Sequence, residues 1–250
     1  MRVNPCSSQT LQLAHSRYTI KVPIRVDNIS KRFGRIAALD AVSFEIRERE
    51  VLGLIGPNGA GKSTLFECLA GLLPLDSGAI TNAQGHPLLP TDDLFYLPDS
   101  IAPWPAQSLS WALDFAIGFF GGPAALRPEV IDQLALRPFL DQPLGALSKG
   151  QRKRGLLALG LLTPQPLLLI DEPLDGLDLR QMRDVAQVLR HHAARGRTLF
   201  LSIHQIADAA RVCDRFVLLS GGRVCGEGTL QDFAATHGAS TLEEVFLALT

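Results

Sequence analysis

Gly56-Pro57-Asn58-Gly59-Ala60-Gly61-Lys62-Ser63-Thr64 decides how this chain is read. The stretch fits G-x-x-x-x-G-K-[ST], a loop whose backbone N–H groups curl inward around phosphate. Upstream, Val51-Leu52-Gly53-Leu54-Ile55 is a short apolar run that reads as a buried strand. Downstream, Leu65 to Ala70 reads as a helix ending at Gly71. Strand, glycine loop and helix therefore follow in the order that the chemistry needs. A helix starting near Gly61 adds free N–H groups and the positive end of its dipole. Lys62 is placed to reach the β- and γ-phosphates, and the Ser63 hydroxyl to ligate Mg²⁺. A glycine-rich turn that binds nothing would not need Lys-Ser at these positions. The loop alone leaves open whether the nucleotide is ATP or GTP and what its hydrolysis drives.

The rest of the chain has room for one large domain with an inserted subdomain, at 250 residues and 46% hydrophobic. A formal net charge of −1 gives no basic excess to favour nucleic acid, so no nucleic-acid partner is expected. Cys6, Cys68, Cys213 and Cys225 form no C-x-x-C pair and no zinc spacing, and read as free thiols of a reducing cytoplasm. The most apolar region, Leu156 to Ile170, is interrupted by Thr163-Pro164-Gln165-Pro166 and falls short of a membrane span. Residues 1–22 are polar and without period, and read as a leader ahead of a domain covering 23–250.

Ile24 to Ile29 alternates as an edge strand would, Ser30 to Gly34 reads as a turn, and Val42 to Ile46 alternates again. Short strands are expected within 79–89. Residues of about 100–145 change character, with prolines at 103, 105, 123, 128, 138 and 143 between short helical pieces. There Trp111, Phe115 and Phe119 recur at every fourth residue, one stripe of a helix. The stripe is read as core, with an exposed docking patch as the rival. From Ser148 the pattern becomes α/β: helix 149–162, strand 167–170, helix 179–194, strand 198–203.

Two further features carry chemistry. Leu167-Leu168-Leu169-Ile170 delivers Asp171 and Glu172 at its carboxyl end, where ligands of open α/β sheets gather. Asp171 is expected to hold Mg²⁺ through a water, and Glu172 to stand beside the γ-phosphate as general base. The strand Thr198 to Ile203 ends at His204, within reach of the same phosphate.

In combination these features resemble the nucleotide-binding subunit of an ATP-binding cassette (ABC) transporter, over about residues 24–250. Leu147-Ser148-Lys149-Gly150-Gln151 resembles the signature L-S-G-G-Q, with Lys149 in place of a glycine. Pro173 to Asp178 resembles the loop after the catalytic glutamate, and Ser202-Ile203-His204 the switch-histidine strand. Phe33 matches the aromatic that stacks on adenine. The resemblance implies a P-loop NTPase α/β core with a mixed sheet, an antiparallel β subdomain and an α-helical subdomain inserted at about 100–160. It implies ATP held by Gly56–Thr64, catalysis by Glu172, His204 and Lys62, and metal ligands among Ser63, Asp99 and Asp171. Ser148, Gly150 and Gln151 would then face ATP held by a second subunit in a head-to-tail dimer. A separate membrane permease would dock near 100–145, on the cytoplasmic face of the membrane. Asp99 stands where the family usually has Gln. An acidic residue after Leu97-Pro98, with the ending Ser240 to Thr250, is similar to the sodium- and drug-exporter branch. An importer or haem-type exporter subunit is the alternative. A soluble ATPase acting on ribosomes or DNA lacks its usual second cassette or insertion here, and a non-hydrolysing module does not need Glu172 and His204.

Overall fold

The computed structural model describes residues 23–88, 90–99, 101–237 and 241–249, so the leader expected at 1–22 lies outside the described residues. Two sheets form the frame. The first is antiparallel, with β1 (Ile24–Phe33) between β2 (Ile36–Ile46) and β4 (Ser77–Thr81). The second runs β5 (Leu94–Leu97), β6 (Leu167–Asp171), β7 (Thr198–Ile203), β3 (Val51–Ile55), β8 (Arg215–Ser220) and β9 (Arg223–Gly228). Its strands are parallel except β9, which pairs antiparallel with β8.

Both faces of the parallel strands are covered, so each strand reads as an unbroken apolar run and alternate side chains enter different cores. Leu167, Leu169, Leu52, Leu54 and Phe200 point into a core shared with β1, β2 and α1 (Lys62–Leu69). There the Phe66 and Phe200 rings lie 4.9 Å apart. Leu168, Ile170, Leu199, Leu201 and Ile203 enter the opposite core. That side is covered by α5 (Lys149–Leu161), α6 (Leu179–Ala194) and α7 (Ile206–Val212). The helices α8 (Leu230–His237) and α9 (Leu242–Leu249) follow the sheet, and a short α2 (Pro90–Asp93) precedes β5. Among the described residues, no helix is long and apolar enough to cross a membrane.

The insert contains α3 (Leu109–Phe120), α4 (Arg127–Gln133), short turns of 3₁₀ helix, and α5. α3 begins at Ser108, whose hydroxyl accepts from the Trp111 N–H, and ends at Gly121 with φ +72°. The core expectation for its aromatic stripe is overturned. Leu109, Ala112, Leu113 and Ala116 are buried, whereas Trp111 is 39% and Phe119 71% exposed. The reason is room. α3 packs on α5 at Gly155, where even an added Cβ would come within 3.0 Å of a Leu109 methyl. That close approach admits alanine and leucine, and bulky rings turn outward and stack on one another. Trp111 and Phe115 lie 5.2 Å apart, and Phe115 and Phe119 5.5 Å apart, with Trp104 edge-on to the first two rings.

Two smaller expectations also change. β1 is the middle strand of its sheet and continues to Phe33, so the turn there is confined to Gly34 and Arg35. Its alternation arises because only one face is buried. Of the strands expected at 79–89, β4 is formed, followed by one isolated bridge from Thr81 to Pro87.

Candidate functional site

The parallel register brings the site together. Ile55 pairs with Ile203, and Asp171 with Ser202, so β3, β6 and β7 end at one edge. The phosphate loop leaves from β3, Asp171 and Glu172 stand at the end of β6, and His204 follows β7 directly.

The loop is held by backbone, which explains its glycines. Gly61 caps α1 at φ +105°, and an added Cβ would lie 2.4 Å from the Ala38 carbonyl oxygen. At Gly56 it would lie 2.3 Å from the Leu219 carbonyl oxygen. Ala60 donates its N–H to Pro57 O at 3.1 Å, closing the curl, and Gly222 donates to Ala60 O at 3.1 Å. Pro57, Asn58 and Gly59 are exposed at its crest. The Lys62 ammonium is buried inside the loop and donates to Gly56 O at 2.8 Å and Pro57 O at 3.1 Å. Burial pulls it below the usual lysine range, against the Glu172 and Asp171 carboxylates, which pull it up.

Beside it, Ser63 Oγ donates to Asp171 Oδ2 at 3.0 Å, and Ser202 Oγ donates to Asp171 Oδ1. Asp171 is only 6% exposed, so these two hydroxyls fix its orientation. A hydroxyl and a carboxylate, both hard oxygen donors, suit Mg²⁺. Thr64 follows Ser63 in α1.

Glu172 stands at φ +49°, a left-handed conformation uncommon for a side-chain-bearing residue. Its N–H is held by Ser202, with the backbone O at 3.2 Å and Oγ at 3.0 Å. Its carbonyl accepts from Lys153 Nζ at 2.8 Å. The turn aims Glu172 Oε2 at His204 Nδ1, 3.3 Å away. Lys153 also pairs with Asp99 Oδ1 at 2.5 Å, and Asp99, Glu172 and Asp175 offer carboxylate oxygens within 4.8 Å of one another.

The signature residues gather at the start of α5. Ser148 Oγ accepts from Gln151 N, and Gln151 Oε1 accepts from Ser148 N at 2.9 Å, a reciprocal cap. Gly150 lies against the loop before α6, where an added Cβ would meet Gln181 Oε1 at 3.2 Å and Gly176 O at 3.4 Å. Lys149 Nζ reaches Asp175 at 2.6 Å, holding that carboxyl below the usual range, and its stem crosses Gly176. Phe33, at the tip of β1, keeps its ring 49% exposed, with Lys31 Nζ 5.8 Å from its centroid.

Sequence reasoning missed Ser202 as the hydroxyl that orients Asp171 and Lys153 as a partner of Glu172. Only the strand register could have given the first. Lys153 stands between Arg152 and Arg154 in the basic first half of α5, so nothing in the sequence set it apart for the second.

A model of the ABC transporter family matches residues 39–175, from β2 through the loop after Glu172. The chain belongs to that family. A sulfate/thiosulfate import ATP-binding protein of Chlorella vulgaris is 33% identical over 235 residues, covering 90% of this chain and 99% of the relative. A Nod factor export ATP-binding protein of Sinorhizobium fredii is 33% identical over 222 residues, covering 85% of this chain and 64% of the relative. A solved ATP-binding subunit of an ABC transporter superposes with TM-score 0.83 at 29% identity, over 91% of this chain and 99% of that one. This ABC subunit therefore binds ATP and couples its hydrolysis to transport. Such subunits dimerise and work with transmembrane partners.

Proposed function

We propose that this subunit powers export through a separate permease, by closing on ATP head-to-tail with a second copy. The observation that carries the catalytic part is the left-handed Glu172, aimed at His204 beside the buried Lys62. In this reading the amides of 56–64 and the Lys62 ammonium hold the ATP phosphates. Phe33 stacks on the adenine. Ser63 and Asp171, joined by Asp99, would hold Mg²⁺, which would supply positive charge to neutralise the phosphates. Glu172 accepts a proton from the attacking water as the terminal phosphate–oxygen bond breaks, and His204 orients Glu172 and the γ-phosphate. Ser148, Gly150 and Gln151 present the N-terminal amides of α5 to the ATP of the facing copy.

The permease docks on the insert near 100–145, where Trp104, Trp111 and Phe119 are exposed. That places the subunit peripherally on the cytoplasmic face of the membrane. Asp99 after Leu97-Pro98 and the export relative support the outward direction; the import relative supports the alternative. The test is Glu172→Gln, which should trap the closed pair. With saturating ATP and Mg²⁺ it should elute as a dimer in size-exclusion chromatography. A monomer under those conditions would refute the head-to-tail closure.

A further inference from the structure

Among the described residues, Lys153 joins three parts of the molecule through one ammonium. It belongs to α5, in the insert, and is 8% exposed. It donates to the Glu172 carbonyl at 2.8 Å and pairs with Asp99 at 2.5 Å. Asp99 follows β5, where the chain leaves the sheet for the insert. Glu172 is held in its left-handed conformation from two sides: Ser202, on β7, grips the N–H, and Lys153 grips the carbonyl. A left-handed residue with a side chain costs roughly 1–2 kcal/mol and persists where its surroundings impose it. One of the two grips therefore belongs to the sheet, and the other to the helix that carries the signature.

We propose that Lys153 is a positioning residue for hydrolysis: it sets the backbone of Glu172, and so the aim of its carboxylate, according to where the insert stands. This rests on the reading of Glu172 as the base. A shift of α5 by about 1 Å stretches a 2.8 Å bond beyond hydrogen-bond range. Movement of the insert would thus release Glu172 without touching the phosphate loop. Lys153 also offsets the repulsion among the Asp99, Glu172 and Asp175 carboxylates, which explains how an acid is accommodated at position 99.

The test is Lys153→Met, which keeps the stem and removes the charge. ATP affinity, read by calorimetry, should stay within about threefold, while kcat falls roughly 10- to 100-fold. Lys153→Arg should recover most of that kcat, since it restores a cation able to reach both oxygens. An unchanged kcat in Lys153→Met would overturn the proposal. So would a parallel loss of ATP affinity and kcat, which would make Lys153 a general support of the fold. If loss of the Lys153 charge beside Asp99 prevents Lys153→Met from folding, Asp99→Asn with Lys153→Met carries the same test. Its kcat should then lie below that of Asp99→Asn alone at equal ATP affinity, and equal kcat would overturn the proposal. Glu172→Gln, assayed beside them, keeps the two readings apart: full hydrolysis there would remove the base assignment itself.

Discussion

The phosphate edge of the sheet and the helical insert are built on opposite principles. At the edge, function is written in backbone: left-handed Gly61 and Glu172, carbonyls that receive Lys62, and amides that curl inward. In the insert the proposed docking depends on which stripe of a helix faces out. α3 carries two apolar stripes, and the narrow contact with α5 buries the one made of alanine and leucine. A backbone requirement leaves residue identities that can be read directly. A choice between two apolar stripes does not.

Loss of a phosphate contact should separate the regions most sharply. Lys62→Ala removes the cation inside the loop, and ATP hydrolysis should fall by roughly 10³-fold or more. Melting temperature should hardly move, because the loop is anchored by the backbone of β2 and the turn after β8. Leu113→Ala should show the converse. Leu113 is fully buried in the insert, so its truncation should cost about 2–5 kcal/mol in urea unfolding. A stable Leu113→Ala protein would mean that α3 is not packed as described.

The seam between the regions gives a pH test. α6 reaches the insert through Glu129, which accepts from His191 at 3.0 Å and Arg195 at 2.5 Å. The next side chain, His192, turns inward and is 4% exposed. Burial, assisted by the positive Arg197, pushes its pKa down to about 3. An unfolded chain takes up this proton near pH 6.5, so between about 6.5 and 3 it binds one proton more than the folded form. Stability is then complete above that range and declines as pH falls, by up to about 1.4 kcal/mol per unit. At pH 5 the loss should be about 2 kcal/mol, read from urea midpoints at pH 7.5 and 5.0. His192→Met should flatten the slope, and an unchanged slope would place the titration elsewhere.

What the sequence disclosed follows the same division. The motifs Gly56–Thr64, Asp171-Glu172 and His204 were legible because each sits at the carboxyl end of an apolar strand, and parallel pairing then leaves them one place to meet. Ser202 and Lys153 were not legible, since their roles depend on register between β6 and β7 and on how deeply α5 lies. β1 was misread as an edge because alternation reports one exposed face, not the number of neighbouring strands. Trp111 and Phe119 were misread for a related reason: periodicity finds a stripe, and only the width of the gap at Gly155 says which stripe fits.

The smallest expected effect on stability is the most informative about that stripe. Phe119 is 71% exposed, so Phe119→Ser should change unfolding free energy by about 0.5 kcal/mol or less. ATP hydrolysis by the isolated subunit should also be unaltered, since the ring lies at the end of α3, remote in sequence from residues 56–64, Asp171, Glu172 and His204. With the permease in a vesicle the outcome should differ. Removing one ring from the stacked row of Trp111, Phe115 and Phe119 takes apolar area from the proposed docking face, at about 25 cal/mol per Å² removed from contact. Transport and permease-stimulated hydrolysis should fall together by roughly tenfold, while unstimulated hydrolysis stays level. If transport is untouched in Phe119→Ser and also in Trp111→Ser, the outward stripe is not where the permease docks, and the two regions communicate through another face of the insert.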